Sequence, residues 1–258
     1  MKKHILITLV LALLASISCS RKTDFGSPDV DFKSIEKDFR SWWTYHKQNI
    51  ILSSDFIALD NLSNRIKKEV FLKNLTSGSF IPLKLTSQDS TYYMLFKLDQ
   101  TCDKNIREAI KSDSSEAYKN FRMEGKVFPA FNFKDLNGVE FNNENTKGKI
   151  LILKCWFIAC KSCVAEFPQL NELVGKYKNR NDMVFVSLAF DAKKDLELFL
   201  QKKPFSYSVV ADQKQFILNN LDIKTYPTHI IIDQKGLIRK VVTEADEMII
   251  ALENDVLL

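Results

Sequence analysis

The second half of the chain carries a series of short, nearly continuous apolar runs: ILIL within GKILILKCWF, then VFVSLAF, YSVVA and THIIID. Between them lie CKSCVAEFPQLNELVGKY, KKDLELFLQKK and QKQFILNNL, whose apolar residues recur at helical spacing. A strand with one wet face alternates apolar and polar residues, whereas a continuously apolar strand must be covered on both faces. Alternation of such strands with helices predicts an α/β fold, a central mixed sheet with helices on both sides. Ahead of these runs, FPAFNF and GVEF flank an Asn–Gly turn and give an extended entry. After them come a QKG turn, the strand LIRKVV and a final helix.

The first half reads differently. Residues 31–50 (DFKSIEKDFRSWWTYHKQNI) place Phe32, Ile35, Phe39, Trp42 or Trp43, and His46 at helical spacing. FIPLKLT (80–86) and TYYMLFKL (91–98) predict two strands around a polar SQDS turn. Residues 103–122 predict a helix with Ile106, Ala109, Ile110, Ala117 and Phe121 apolar. The composition changes at Gly125, so the organisation expected is a small α+β module over 20–124 and a second domain over 125–258. Trp42 and Trp43 are read as core or domain interface. No chemical motif is recognisable in this module.

Residues 1–19 (MKKHILITLVLALLASISC) read as a secretory signal: two lysines, an apolar run from Ile5 to Leu14, then Ala15, Ser16 and Ser18. The run is too short to span a bilayer, which takes roughly 20 apolar residues. Small residues leading into Cys19 resemble a bacterial lipobox, with Ser16 standing where leucine is usual. That implies lipidation of Cys19, export to the periplasmic side of a bacterial membrane, and membrane contact only through the N-terminal lipid. The net charge of +5 falls to +3 without Lys2 and Lys3, with 35 basic against 32 acidic residues. Charges of both signs are interspersed, and there is no Lys/Arg block or RNA-binding aromatic motif. Nucleic acid is a poor fit as a partner.

Export leaves Cys102, Cys155, Cys160 and Cys163 where disulfides form and persist. Four are too few for a disulfide scaffold in a chain this long and suit one special pair with two bystanders. Cys160 follows a buried strand and a short loop. After it, Val164, Phe167, Leu170, Leu173 and Val174 recur at helical spacing. The first cysteine therefore sits at a helix N-terminus, where free N–H groups and the positive dipole end favour a thiolate, and Lys161 adds a cation. Cys163, one turn in, is less exposed and within reach for a small ring. A dithiol exchanger needs one accessible sulfur to attack and one shielded sulfur to resolve. Zinc competes poorly, because Cys102, Cys155, His46 and His229 are not paired at ligand spacing. A purely structural bridge between i and i+3 closes too short a loop to stabilise much.

Together, residues 125–258 resemble the thioredoxin superfamily, and within it the exported TlpA/ResA-like thiol–disulfide oxidoreductases. The marks are the strand–Trp–C-x-x-C run through Trp156, Glu166 and Pro168 in CVAEFP, YPT at 226–228, and THIIIDQKG. The resemblance implies a thioredoxin-like domain that exchanges electrons with protein thiols and disulfides through Cys160 and Cys163, more as a reductant than an oxidant. It implies no cofactor beyond that redox-active disulfide, and a membrane electron donor of unknown identity to regenerate it. It also implies a cis bond before Pro227, with Tyr226 and Pro227 offering a backbone edge to an extended substrate segment. Trp156, packed beside the pair, and Lys161 complete the expected substrate side. Residues 191–224 match the extra strand–helix insertion shared with peroxiredoxins.

Several positions depart from the pattern. Lys154 stands where thioredoxins carry a buried acid; its stem is expected to pack and its amine to snorkel outward, against the alternative that it lowers the pKa of the Cys163 thiol. Lys161–Ser162 lacks the common proline between the cysteines, and Ala159 replaces the usual aromatic residue. Glu166 is either an acceptor or tuner of the Cys163 proton, or a solvated first-turn glutamate. Pro168 should kink its helix, Cys155 should be a buried apolar residue, and Cys102 a free thiol. His229 reads as a core histidine against the alternative of a copper ligand. A copper-handling or redox-inactive binding protein and a peroxiredoxin-like peroxidase are the competing functions. The peroxidase needs Pro and Thr seven and three residues before Cys160, where this chain has Leu153 and Phe157.

Overall fold

The computed structural model describes residues 25–256 other than Lys37, so the signal and the lipidation expected at Cys19 lie outside the described residues. The first segment forms α1 (Phe32–Ile35), α2 (Phe39–Asn49), β1 (Ile57–Leu59), β2 (Arg65–Ile66), α3 (Lys68–Leu75), β3 (Phe80–Leu85), β4 (Tyr92–Lys97) and α4 (Lys104–Phe121). The helical run at 31–50 is two helices, because Asp31 and Asp38 each cap an N-terminus, Asp38 accepting the Ser41 N–H at 2.8 Å. β3 and β4 pair antiparallel as expected, in a four-stranded sheet of order β2-β1-β4-β3. The sequence reading missed β1, β2 and α3. The two strands are too short to show a period, and α3 buries Phe71, Leu72 and Leu75 in a stretch for which no element was read.

The second segment opens with the hairpin β5 (Asn132–Lys134) and β6 (Glu140–Asn142), turned at Asn137–Gly138 with Gly138 at φ +88°. A five-stranded sheet follows, of order β11-β10-β7-β8-β9: β7 (Ile150–Trp156), β8 (Met183–Ala189), β9 (Ser208–Val210), β10 (Thr228–Ile232) and β11 (Ile238–Val242). β7, β8 and β9 run parallel, while β10 is antiparallel to both its neighbours, so the sheet is mixed. The helices are α5 (Lys161–Ala165), α6 (Phe167–Lys176), α7 (Lys193–Lys202) and α8 (Ala245–Ala251), with π-helical turns at Phe216–Asn220 and Leu252–Val256.

Every residue of β7 is buried, as a central strand covered on both faces must be. Ile150 and Ile152 pack with Leu170 and Leu173 of α6 and Met248 of α8. Leu151, Leu153 and Cys155 face the other way, toward Phe128, Phe133 and Ile217. Residues 125–128 run along β11, with the Gly125 N–H donating to the Ile238 carbonyl at 2.8 Å. No helix among the described residues is long and apolar enough to cross a membrane.

Buried apolar clusters divide between Phe121 and Met123, and the two segments meet through polar contacts. The Ser53 carbonyl accepts from the ammonium groups of Lys68 at 3.1 Å and Lys240 at 2.9 Å, one from each segment. The Ser53 hydroxyl donates to Glu247 at 2.7 Å, and Lys47 pairs with Glu244 at 2.6 Å.

Candidate active site

The loop between β7 and α5 is tied down before the first cysteine arrives. The Ile158 N–H donates to the Asp191 carboxylate at 2.8 Å, and the Cys160 N–H to the Phe157 carbonyl at 3.0 Å. Cys160 then takes an extended conformation as N-cap of α5, its sulfur accepting the Cys163 N–H at 3.2 Å. The two cysteines are joined as a disulfide, their Cα atoms 5.3 Å apart. Cys160 retains 7% exposure and Cys163 none, so the first sulfur is the one a partner can reach.

The helix expected over 160–178 is interrupted at Glu166, which ends α5 and begins α6. Pro168, in the first turn of α6, has no N–H to continue the α5 ladder. The break turns the Glu166 side chain inward. It accepts from the Lys154 ammonium, from His229 Nε2 at 3.1 Å, and from the Ala245 N–H at the start of α8 at 2.9 Å. With a side-chain exposure of 16%, it is not the solvated first-turn glutamate of the bland alternative.

Lys154 corrects a sequence expectation. Its amine does not snorkel: the side chain is fully buried and paired to Glu166. The reason is position. β7 is the central strand, with His229 of β10 and Ser187 of β8 as its direct cross-strand neighbours, both buried, so no path to water exists. An ammonium there needs an internal counter-charge, and Glu166 supplies it.

The electrostatics follow from this crowding. Burial pushes the Glu166 carboxyl upward, but His229 and Lys154 more than offset it and hold it at about 2. Burial, then the adjacent Lys154 charge, keeps His229 down at about 4 against its ordinary 6.5. Burial lowers Lys154, opposed by Glu166. A carboxylate only accepts, so His229 Nε2 carries the proton, and its Nδ1 is buried without a partner among the described residues. The imidazole is therefore neutral. Burial raises the Cys155 thiol to about 12, making it the inert core residue expected, and Cys102 is a buried free thiol in the first segment.

A pH dependence of stability results. A histidine held neutral in the fold charges in the unfolded chain near pH 6.5, so its contribution is intact above that and lost as pH falls toward 4. Glu166, depressed below its ordinary 4.5, adds a second loss between there and about 2. Urea unfolding of the oxidised protein is expected to show constant stability from pH 8 to 6.5 and a decline on the order of 3 kcal/mol by pH 4. His229→Gln should flatten the upper part of that decline. A profile unchanged by this substitution would show that His229 is not its source.

Around the pair, the Tyr226–Pro227 bond is cis, as the resemblance implied. Tyr226 is half-buried, donates to the Ile223 carbonyl at 2.8 Å, and joins Phe157 and Phe190 in a cluster with ring centroids 5.0 to 5.6 Å apart. Lys161 is exposed beside Cys160. Trp156 is packed beside the pair as expected: fully buried, it backs the cysteines and meets Phe167 edge-on at 4.9 Å, but it presents no face to a substrate. His229 bonds Glu166 rather than joining the cysteines, and among the described residues no cluster of His, Cys, Asp or Glu could hold a metal ion. Sequence reasoning missed Asp191, Phe190, Ser187 and the α8 N-terminus. Only Asp191 and Phe190, at the end of an apolar strand beside the loop, left a legible signal.

Residues 125–241 match the AhpC/TSA family. The chain is 29% identical over 132 residues to the thiol–disulfide oxidoreductase ResA of Geobacillus thermodenitrificans, covering 49% of this chain and 76% of that protein. It is 31% identical over 119 residues to the ResA of Bacillus thuringiensis subsp. konkukian, covering 46% and 69%. Among solved structures it resembles the thioredoxin domain of a thiol–disulfide oxidoreductase from Bacteroides vulgatus, at 23% identity and a TM-score of 0.47, over 52% of this chain and 97% of that one.

Proposed function

The chain belongs to the ResA-like thiol–disulfide oxidoreductases of the thioredoxin superfamily, and from that premise we propose that it reduces protein disulfides outside the cytosol. The ordering of the two sulfurs, Cys160 reachable at a helix N-cap and Cys163 wholly covered behind it, carries this reading. The Cys160 thiolate attacks one sulfur of the substrate disulfide, and the other sulfur leaves as a thiolate that takes up a proton. Cys163, deprotonated in turn, attacks Cys160 and expels the second substrate thiol. The substrate has gained two electrons and two protons, and the protein is left with the Cys160–Cys163 disulfide. A membrane donor of two electrons, held near by a lipid on Cys19, would return it to the dithiol. The backbone edge at Tyr226 and Pro227, the half-exposed rings of Phe157 and Phe190, and the charge of Lys161 form the surface on which an extended substrate segment lies.

Equilibration of the chain with dithiothreitol or glutathione buffers tests the direction. A reduction potential at or below about −270 mV is expected; one near −120 mV would make the protein an oxidant. A peroxidase is the second reading, kept because of the AhpC/TSA match. Against it, the positions that shape a peroxide pocket are Leu153, fully buried in the core, and Phe157. Consumption of hydrogen peroxide by the reduced chain, persisting in Cys163→Ser, would favour it.

A further inference from the structure

We propose that Lys154 is a positioning residue for the exchange reaction: with His229 it locks Glu166 as an ionised carboxylate under the α5–α6 break, so that Glu166 stands one turn from Cys163 as a carboxylate balanced by Lys154 and not as its proton acceptor. This rests on the assignment of exchange to Cys160 and Cys163.

Three donors from three elements converge on Glu166: Lys154 from β7 and His229 from β10 on one oxygen, and the Ala245 N–H from α8 on the other. Protonating Glu166 would weaken all three contacts and leave the Lys154 ammonium buried without a counter-charge, which is far costlier than losing an exposed pair. His229 offers no alternative route for the proton. Its Nε2–H is already given to Glu166, and its Nδ1 is enclosed. The other titratable groups coupled to this cluster are Cys155 beside Lys154 and the buried Tyr207 hydroxyl; Cys163 lies one turn before Glu166 in the chain, and Glu244, Asp246 and Glu247 flank the Ala245 N–H at the start of α8. Glu244 is paired with Lys47, and Glu247 accepts from Ser53. Lys154 and Glu166 therefore balance each other beside the disulfide, and the neutral imidazole adds no charge.

Removing the ammonium changes what titrates. In Lys154→Met, Glu166 keeps His229 as its partner, while His229 loses the cation that repels its own charging. Burial, the larger cause, still opposes its charging; the imidazole takes up a proton at a higher pH than in the parent, and under the proposal this ionisation falls between pH 5.5 and 8. Below that ionisation the cluster is balanced, as in the parent; above it, an uncompensated carboxylate lies next to Cys163 and disfavours its thiolate.

The experiment is the first-order rate at which Cys163 expels the second 2-nitro-5-thiobenzoate from the Cys160 mixed disulfide, after the reduced chain has reacted with 5,5′-dithiobis(2-nitrobenzoate), from pH 5.5 to 8.5. It is run on the parent chain, Lys154→Met, and Lys154→Met with His229→Gln. The ratio of parent to Lys154→Met rates is expected to be near one at pH 5.5 and to rise to about tenfold at pH 8, the effect of a thiol pKa raised by one. In the double variant the ratio should no longer vary with pH. The His229 ring resonances of the parent, which need no substitution, should stay unmoved over the same range. A ratio independent of pH in Lys154→Met, or a parent His229 that titrates between pH 5.5 and 8, overturns the proposal. Exchange that survives in Cys160→Ser would instead overturn the assignment on which the proposal rests.

Discussion

Cys160→Ser loses disulfide reduction by more than about a thousandfold, the scale seen when the group that forms the covalent intermediate is removed. A serine hydroxyl at this N-cap still accepts the Cys163 N–H, so the helix start is preserved and the loss reports chemistry rather than folding. Cys163→Ser behaves differently. Its Cys160 thiolate still attacks, but nothing covered and adjacent remains to expel the substrate, so the protein accumulates as a one-to-one mixed disulfide visible by intact mass. Peptide mapping should locate the bond at Cys160 and leave Cys102 and Cys155 unmodified, both being buried. A trapped species linked through either of those two, or a Cys160→Ser protein that keeps turning over, would refute the assignment.

Glu166→Ala is expected to be the most destabilising single change at the site, by about 3–5 kcal/mol, because it leaves a fully buried ammonium without its counter-charge. For a chain of this size, that corresponds to a fall in melting temperature of roughly 10 °C. Adding Lys154→Met should recover most of the loss, since an apolar chain of similar volume suits a site enclosed on every side. Urea denaturation of the four oxidised proteins in a double-substitution cycle measures this. Additive effects, with no recovery in the double variant, would mean that the ion pair contributes nothing and that Lys154 is accommodated in some other way.

Much of this architecture is legible in the sequence because the central strands are apolar without interruption. ILIL, VFVSLAF and THIIID can only be doubly covered strands, and the helical periods between them fix the order of elements. The cysteine pair is legible for the same reason: a strand, a loop and a helix start place it. Lys154 was misjudged because single-sequence reasoning prices a lysine by its own ability to reach water, and the partner that makes burial tolerable lies twelve residues away across a helix break. Pro168 announced the break but not the direction in which Glu166 would turn. Trp156 was placed beside the pair correctly but given a substrate role it lacks, because adjacency to a cysteine in sequence does not say whether the ring reaches the surface. β1 and β2, three and two residues long, carry no period to read.

The Ser53 carbonyl that accepts two lysines bears on how such a chain can be inherited. Lys240 sits on the edge strand of the second sheet, nearly buried, and its ammonium is satisfied by a loop that belongs to the first segment. A thioredoxin-like half recombined behind a foreign leader would carry that lysine without the Ser53 carbonyl that accepts from it, and α8 would lose the serine that meets Glu247. The two halves are thus expected to travel through descent together, the loop at 50–55 and the face of β11 and α8 changing in step.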